Sequence, residues 1–266
     1  MTGTGIRFHR SGLPPNNSMQ FTGKAWNTRL RRVIASHRER EPNLNTTAIA
    51  IDGPAGAGKS TIARRLAKAL GFIYVDTGAL YRAIGLHGLR SGRDTASAAE
   101  IVPLLSKLHI ELKYVNGEQR VLLQGEDVSQ AIRENPVSMA ASNVSAIPEV
   151  RGFLLDLQRD IAAHNNVVMD GRDIGTVVLP GAQIKIFLTA SPQERARRRH
   201  EELLTRGVEA NYERVLAEVN ERDYQDSNRQ AAPLKQAPDA DLIDTTGLAL
   251  EEAVALLQNH VKERMQ

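Results

Sequence analysis

The sequence predicts an α/β fold: three layers, with a parallel five-stranded sheet between helices, a small antiparallel hairpin insertion and an arginine-rich helical lid. Three observations predict it. From Thr47 onward, short apolar runs alternate with longer helical patterns, the signature of βα units around a parallel sheet. Between the first apolar run and the first helix stands a glycine-rich turn, Gly53-Pro-Ala-Gly-Ala-Gly58. Asn116-Gly117 stands between an alternating run and an apolar run, the strongest short signal for a hairpin.

Strands are expected at 47–52 (TAIAID), 72–76 (FIYVD), 166–170 (NVVMD), 183–189 (QIKIFLT) and 240–244 (ADLID). Most read as continuous apolar runs, as strands covered on both faces do. Helices are expected at 59–70, stopped by Gly71, and at 78–90, 150–163, 191–206, 210–225 and 249–264. The rhythm breaks at His109–Val115, where Ile110, Leu112 and Tyr114 share one face, followed beyond Asn116-Gly117 by an apolar run to Leu123. This predicts a hairpin at about 107–130, within an insertion of about 107–150.

Residues 1–47 contain eight Lys and Arg against two Glu, a net +6; the chain totals +3, so the other 219 residues carry −3. The basic charge therefore belongs to the N-terminal stretch and not to the body. With Pro14-Pro15, Asn16-Asn17 and little periodicity beyond a short basic stretch, Trp26–Ile34, residues 1–46 are expected to form a disordered extension. Its composition also loosely fits a transit peptide or a nucleic-acid-binding arm. The domain proper spans 47–266.

The chain has no cysteine, which excludes disulfides and thiolate metal sites. No apolar run approaches the roughly 18–20 residues of a membrane span. The expected setting is the cytoplasm, with no membrane partner and no nucleic-acid partner for the main domain, and the expected state is a monomer.

Gly53 through Ser60 satisfies G-x-x-x-x-G-K-[ST], between a predicted strand and a predicted helix. Glycines let backbone N–H groups curl around an anion, and the helix N-terminus adds partial positive charge. The stretch Gly53, Pro54, Ala55, Gly56, Ala57, Gly58, Lys59, Ser60 and Thr61 thus predicts a P-loop holding nucleoside triphosphate. Lys59 reaches the β/γ-phosphates, and Ser60 ligates Mg²⁺ together with phosphates and water.

A P-loop alone does not separate kinases from GTPases and motors. No N-K-x-D-like guanine reader follows, and the third strand ends Met169-Asp170-Gly171-Arg172-Asp173 where motors place an Asp-Glu pair. Arginine there suggests a second phosphate, on an acceptor. Arg82, after the second strand, and Arg172, after the third, lie at strand carboxyl ends, where open α/β sheets bind ligands. Arg195, Arg198 and Arg199 fall on one face of the helix at 191–206, and a further cluster runs from Glu221 to Arg229. This pair of helices reads as a lid, at about 191–210, that excludes water from phosphoryl transfer.

Taken in order, IDGPAGAGKST, YVDTGALYRA, LQGEDVS, MDGRDIGTVVLPGAQIKIFLTAS, ERARRR, ERDYQDSNR and APLKQAPDADLIDTT resemble bacterial-type cytidylate kinase over about 48–264. The resemblance implies transfer of the γ-phosphoryl group of ATP to CMP or dCMP. It implies that Thr77, Arg82, Arg172 and Arg229 meet the acceptor phosphate, Arg222 and Asp226 the sugar, and Ser142, Arg151 and Asp173 the cytosine. Lys59, Arg172, Arg198 and Arg229 become the catalytic candidates. Cytosine suits such a reader, since a carboxylate accepts from its N4 and arginine donates to its N3 and O2. Thr77 departs from the serine the family often carries, keeping the hydroxyl; residues 1–47 match nothing in the pattern.

Overall fold

The structure is a computed structural model that describes residues 5–6, 46–115 and 118–265. Five strands form the central sheet: β2 (Ala48–Asp52), β3 (Ile73–Asp76), β7 (Val167–Gly171), β8 (Ile184–Thr189) and β9 (Asp241–Asp244). Their order is β3-β7-β2-β8-β9, with every pair parallel. The five runs expected from sequence are these strands, each within a residue or so of its expected ends.

Strand periodicity divides the core into two layers. Ala50, Val75, Val167 and Met169 face one cluster, closed by α2 (Thr77–Arg90) and α5 (Pro148–His164). Ile49, Ile51, Val168 and Ile186 face the other, closed by α1 (Lys59–Leu70) and α8 (Leu250–Arg264). Parallel register aligns the carboxyl ends of the strands. Asp76 stands opposite Asp170, and Asp52 opposite Gly171, so three acidic strand ends lie side by side.

Local chemistry sets the helix ends. Gly71 adopts φ 69° after α1, and Phe72 N donates to Ala67 O at 2.9 Å, a Schellman-type stop. Asp76 caps α2 by accepting from Ala79 N at 2.9 Å.

The insertion holds the expected hairpin, β4 (Ile110–Val115) with β5 (Glu118–Leu123), and a short third strand β6 (Glu126–Asp127). The turn Asn116-Gly117 lies outside the described residues. Gly5–Ile6 (β1) pairs antiparallel with β4 at Lys113 and Leu112. Residues 7–45, which carry most of the expected extension, lie outside the described residues.

Two helices have no counterpart in the expected set: α3 (Ala98–Leu105) and α4 (Asn135–Ser145). The α4 sequence, NPVSMAASNVS, is rich in weak helix formers, and packing supplies what propensity lacks. A Cβ on Gly85 of α2 would sit 2.9 Å from Ala141 N and 3.0 Å from Ala140 Cβ. The missing side chain lets α4 lie against α2 and brings Ser142 to the cleft.

The helices α6 (Pro192–Thr205) and α7 (Tyr212–Asn228) form an antiparallel hairpin. They pack through their own small cluster of Ala196, Leu203, Val215 and Val219, separate from the two main layers. The stretch expected as the lid, about 191–210, covers α6 and ends just before α7.

Candidate active site

The phosphate loop runs from the end of central strand β2 into α1. Gly53 has φ 147°, and a Cβ there would stand 1.9 Å from Leu188 O, so no side chain fits. Gly58 has φ 88° and caps α1. The first N–H groups of a helix lack partners within it, so the start of α1 offers donors to an anion. Lys59 is buried and its Nζ donates to Pro54 O at 2.7 Å. Burial first, then the charge of Arg172, drives its pKa well below the ordinary lysine value. An ammonium so placed favours a nearby anion. Thr61 is exposed on the first turn of α1.

Ser60 Oγ donates to Asp170 Oδ2 at 2.8 Å, joining the loop to the end of β7. Asp170 Oδ1 is buried with no hydrogen-bond partner. Burial, then the charge of Asp76, pushes the Asp170 carboxyl up to about 6. A hydroxyl and an under-satisfied carboxylate are hard oxygen donors of the kind Mg²⁺ takes alongside phosphate and water. Among the described residues, no cluster of three or more acidic or histidine side chains is set to hold a metal alone. Asp170 was not among the sequence candidates. Its position at the end of a strand beside the P-loop was the signal that could have found it.

Beside this loop lies an open cleft. Arg82, Arg151, Arg172, Arg222 and Arg229 line it, as do Asp76, Asp170, Asp173 and Asp226. Five guanidinium groups thus meet four carboxylates, and Lys59 behind the loop adds to the positive excess. The arginines arrive from α2, α5, the end of β7, α7 and the residue after α7, so only tertiary folding brings them together.

Arg172 Nε donates to Asp226 Oδ2 at 2.8 Å and its Nη1 to Gly171 O at 3.2 Å. Arg229 Nη1 donates to Ser145 Oγ at 3.3 Å, while its Nη2 is buried with no hydrogen-bond partner, 3.7 Å from Asp173 Oδ1. Arg222 Nε likewise has none. Desolvation, then the charge of Arg172, brings the Arg222 guanidinium down to about 10. Desolvation, then Arg151, also lowers Arg229. Crowded cations with unspent donors make this a site for anions.

Arg82 Nη1 lies 3.7 Å from Asp76 Oδ2 at the cleft wall. Arg151 pairs closely with Asp173 through Nη2, donates to Ser145 O through Nη1 at 3.2 Å, and stacks 5.6 Å from the Tyr81 ring centroid. Ser142 Oγ donates to Gln225 Oε1 at 3.3 Å. Thr77 reaches the cleft, but its hydroxyl donates to Asp170 O at 2.8 Å and so is turned from any phosphate in this conformation.

The lid arginines divide. Arg195, expected beside Arg198 and Arg199, is buried and points back into the protein: Nη1 donates to Ala55 O at 3.0 Å, and the fork grips Asp223 of α7. Arg198 is absent from the acceptor cleft. Its Nη2 donates to Thr245 O at 2.7 Å, its Nε pairs with Glu194, and its Nη1 lies 3.8 Å from where a Gly58 Cβ would be. The structure therefore sets it beside Gly58 of the phosphate loop. Arg199 bridges to α4, donating to Asn135 Oδ1 at 3.0 Å. Helical spacing placed these three on one side of α6, but each is aimed by a different neighbour.

A family model described as Cytidylate kinase matches residues 49–263. Three curated proteins named cytidylate kinase are similar to the chain. That of Caldanaerobacter subterraneus subsp. tengcongensis is 55% identical over 218 residues, 82% of this chain and 96% of the relative. That of Carboxydothermus hydrogenoformans is 54% identical over 209 residues, 79% and 94%. That of Caldicellulosiruptor saccharolyticus is 53% identical over 206 residues, 77% and 91%.

Proposed function

The chain belongs to the cytidylate kinase family, and from that premise we propose how its own residues carry the reaction. It is an enzyme that transfers the γ-phosphoryl group of ATP to CMP or dCMP, giving ADP and CDP or dCDP. The observation that carries the assignment of residues is the convergence of Arg82, Arg172 and Arg229 in one cleft that also contains Ser60 of the phosphate loop.

ATP lies with its phosphates on the backbone amides of the loop from Gly53 to Thr61. Lys59 leaves the Pro54 carbonyl for the β/γ-oxygens, and the arriving anion offsets the burial that lowers its pKa. CMP enters between the ends of β3 and β7, its phosphate against Arg82, Arg172 and Arg229 and its sugar near Arg222 and Asp226. Ser142, Arg151 and Asp173 face the base, with Tyr81 behind Arg151. Thr77 joins the phosphate contacts only if its hydroxyl turns from Asp170 O.

An oxygen of the CMP phosphate forms the new bond to the γ-phosphorus as the bond to the ADP oxygen breaks. The attacking group is already anionic, so no side chain must remove a proton. The loose transition state spreads charge over the equatorial oxygens, which Lys59, Arg172 and Arg229 neutralise. Arg198 is assigned to the donor side. Ser60 and Asp170 would hold Mg²⁺, which would supply charge neutralisation for the donor phosphates.

No helix among the described residues is long and apolar enough to cross a membrane. We assign the enzyme to the cytoplasm as a monomer acting on free nucleotides, with no nucleic-acid partner for the kinase domain.

A coupled assay with CMP, dCMP, UMP, AMP and shikimate tests the acceptor class. CMP or dCMP should give the highest kcat/KM; a higher value for any other acceptor overturns the reading. Replacing Arg151 with Met should raise KM for CMP at least about tenfold with KM for ATP little changed, since losing a charged hydrogen bond costs roughly 1.5–3 kcal/mol. Equal changes in both constants would remove Arg151 from base recognition.

A further inference from the structure

Asp52 ends the central strand one residue before Gly53 and is only 4% exposed. Neither of its carboxylate oxygens faces the cleft. Oδ1 accepts from Ile174 N at 2.8 Å, and Oδ2 from Gly175 N at 2.7 Å. Those two residues follow directly on Arg172 and Asp173 and open a single π-helical turn, Ile174–Val178.

Such turns are rare, and their first N–H groups have no partner within the turn. Gly175 leaves room for the contact: a Cβ there would stand 3.2 Å from Lys185 Cδ and 3.4 Å from Asp52 Oδ2. The far end of the turn is held as well. Arg159 of α5 donates from Nε to Val178 O at 3.0 Å and from Nη2 to Val177 O at 2.9 Å.

A buried carboxylate is costly, and burial accordingly raises its pKa. The carboxylate fixes a direction that an apolar side chain could not. With the backbone after Asp173 tied at two points to the strand that begins the phosphate loop, the acceptor residues keep a set distance from the donor residues. Phosphoryl transfer depends on that separation.

We propose that Asp52 is a positioning residue for the acceptor, holding Arg172 and Asp173 in register with the phosphate loop. The proposal rests on the kinase reading above and adds a residue that touches neither substrate.

The test is Asp52→Asn in the full chain. The amide keeps the size and one acceptor but turns an NH₂ group toward one of the two backbone donors. The expected result is a KM for CMP raised at least tenfold, with KM for ATP within about threefold, and upfield shifts of the Ile174 and Gly175 amide protons. An unchanged KM for CMP, or an equal rise in both constants, overturns the proposal. If Asp52→Asn does not fold, Arg159→Met releases the opposite end of the same turn without touching the donor loop. It should show the same split at smaller size, and its absence overturns the proposal. Wild type is assayed alongside: failure of wild type to phosphorylate CMP sinks the kinase reading, whereas a normal wild type with no split in the variants sinks only the role of Asp52.

Discussion

Replacing Arg172 with Met is expected to lower kcat by about 10³-fold or more, the range in which a single arginine acts on a phosphoryl-transfer transition state. The same change should also destabilise the fold. Arg172 is the close partner of Asp226, which is 4% exposed and otherwise has Arg229 at 3.9 Å. Removing one member of a buried pair costs about 3–5 kcal/mol, since the remaining charge stays out of water. Adding Asp226→Asn to Arg172→Met separates the two effects. Thermal melts should recover most of the lost Tm while the coupled assay shows no recovery of kcat. Recovery of both together would mean that Arg172 acts through the fold alone.

Lys59→Met is expected to act in the opposite sense on stability. One preorganised donor to developing charge is worth about 10²–10³ in kcat, and that loss should appear at saturating ATP and CMP. The protein without substrate should nevertheless melt higher than wild type. Burial and the neighbouring Arg172 hold the Lys59 pKa well below 10.5, so the folded state disfavours the ammonium that the unfolded chain carries freely. Where the unfolded chain binds the extra proton, stability rises with pH. Wild-type stability should therefore climb as pH rises from the lowered Lys59 value toward 10.5, narrowing the gap to Lys59→Met. A variant that melts lower than wild type at neutral pH would show that Lys59 supports the fold instead of straining it.

These effects share one cause. The site stores excess positive charge: Arg222 Nε and Arg229 Nη2 are buried without a hydrogen-bond partner, and Lys59 Nζ donates to a single carbonyl. Bound nucleotides complete the set, and stability is given up for that readiness.

The amino-acid sequence by itself determined the five strands, six of the helices, the hairpin, the phosphate loop and the positions of Arg82, Arg151, Arg172, Arg222 and Arg229. Those features are local. Apolar runs, a glycine-rich turn and Asn-Gly carry their meaning within a few residues, and the ordered motifs supply the rest. Only the tertiary structure decided α4, whose Ser and Asn residues favour no helix until Gly85 offers a surface to pack on. It also decided that Arg195 braces the phosphate loop while Arg198 turns to Thr245 and Arg199 to Asn135. Asp170 and Asp52 read in sequence as strand ends; parallel register sets them beside Ser60 and the turn after Asp173. A side chain's direction depends on partners distant in the chain, so spacing can name the helix face an arginine occupies but not the oxygen it will meet.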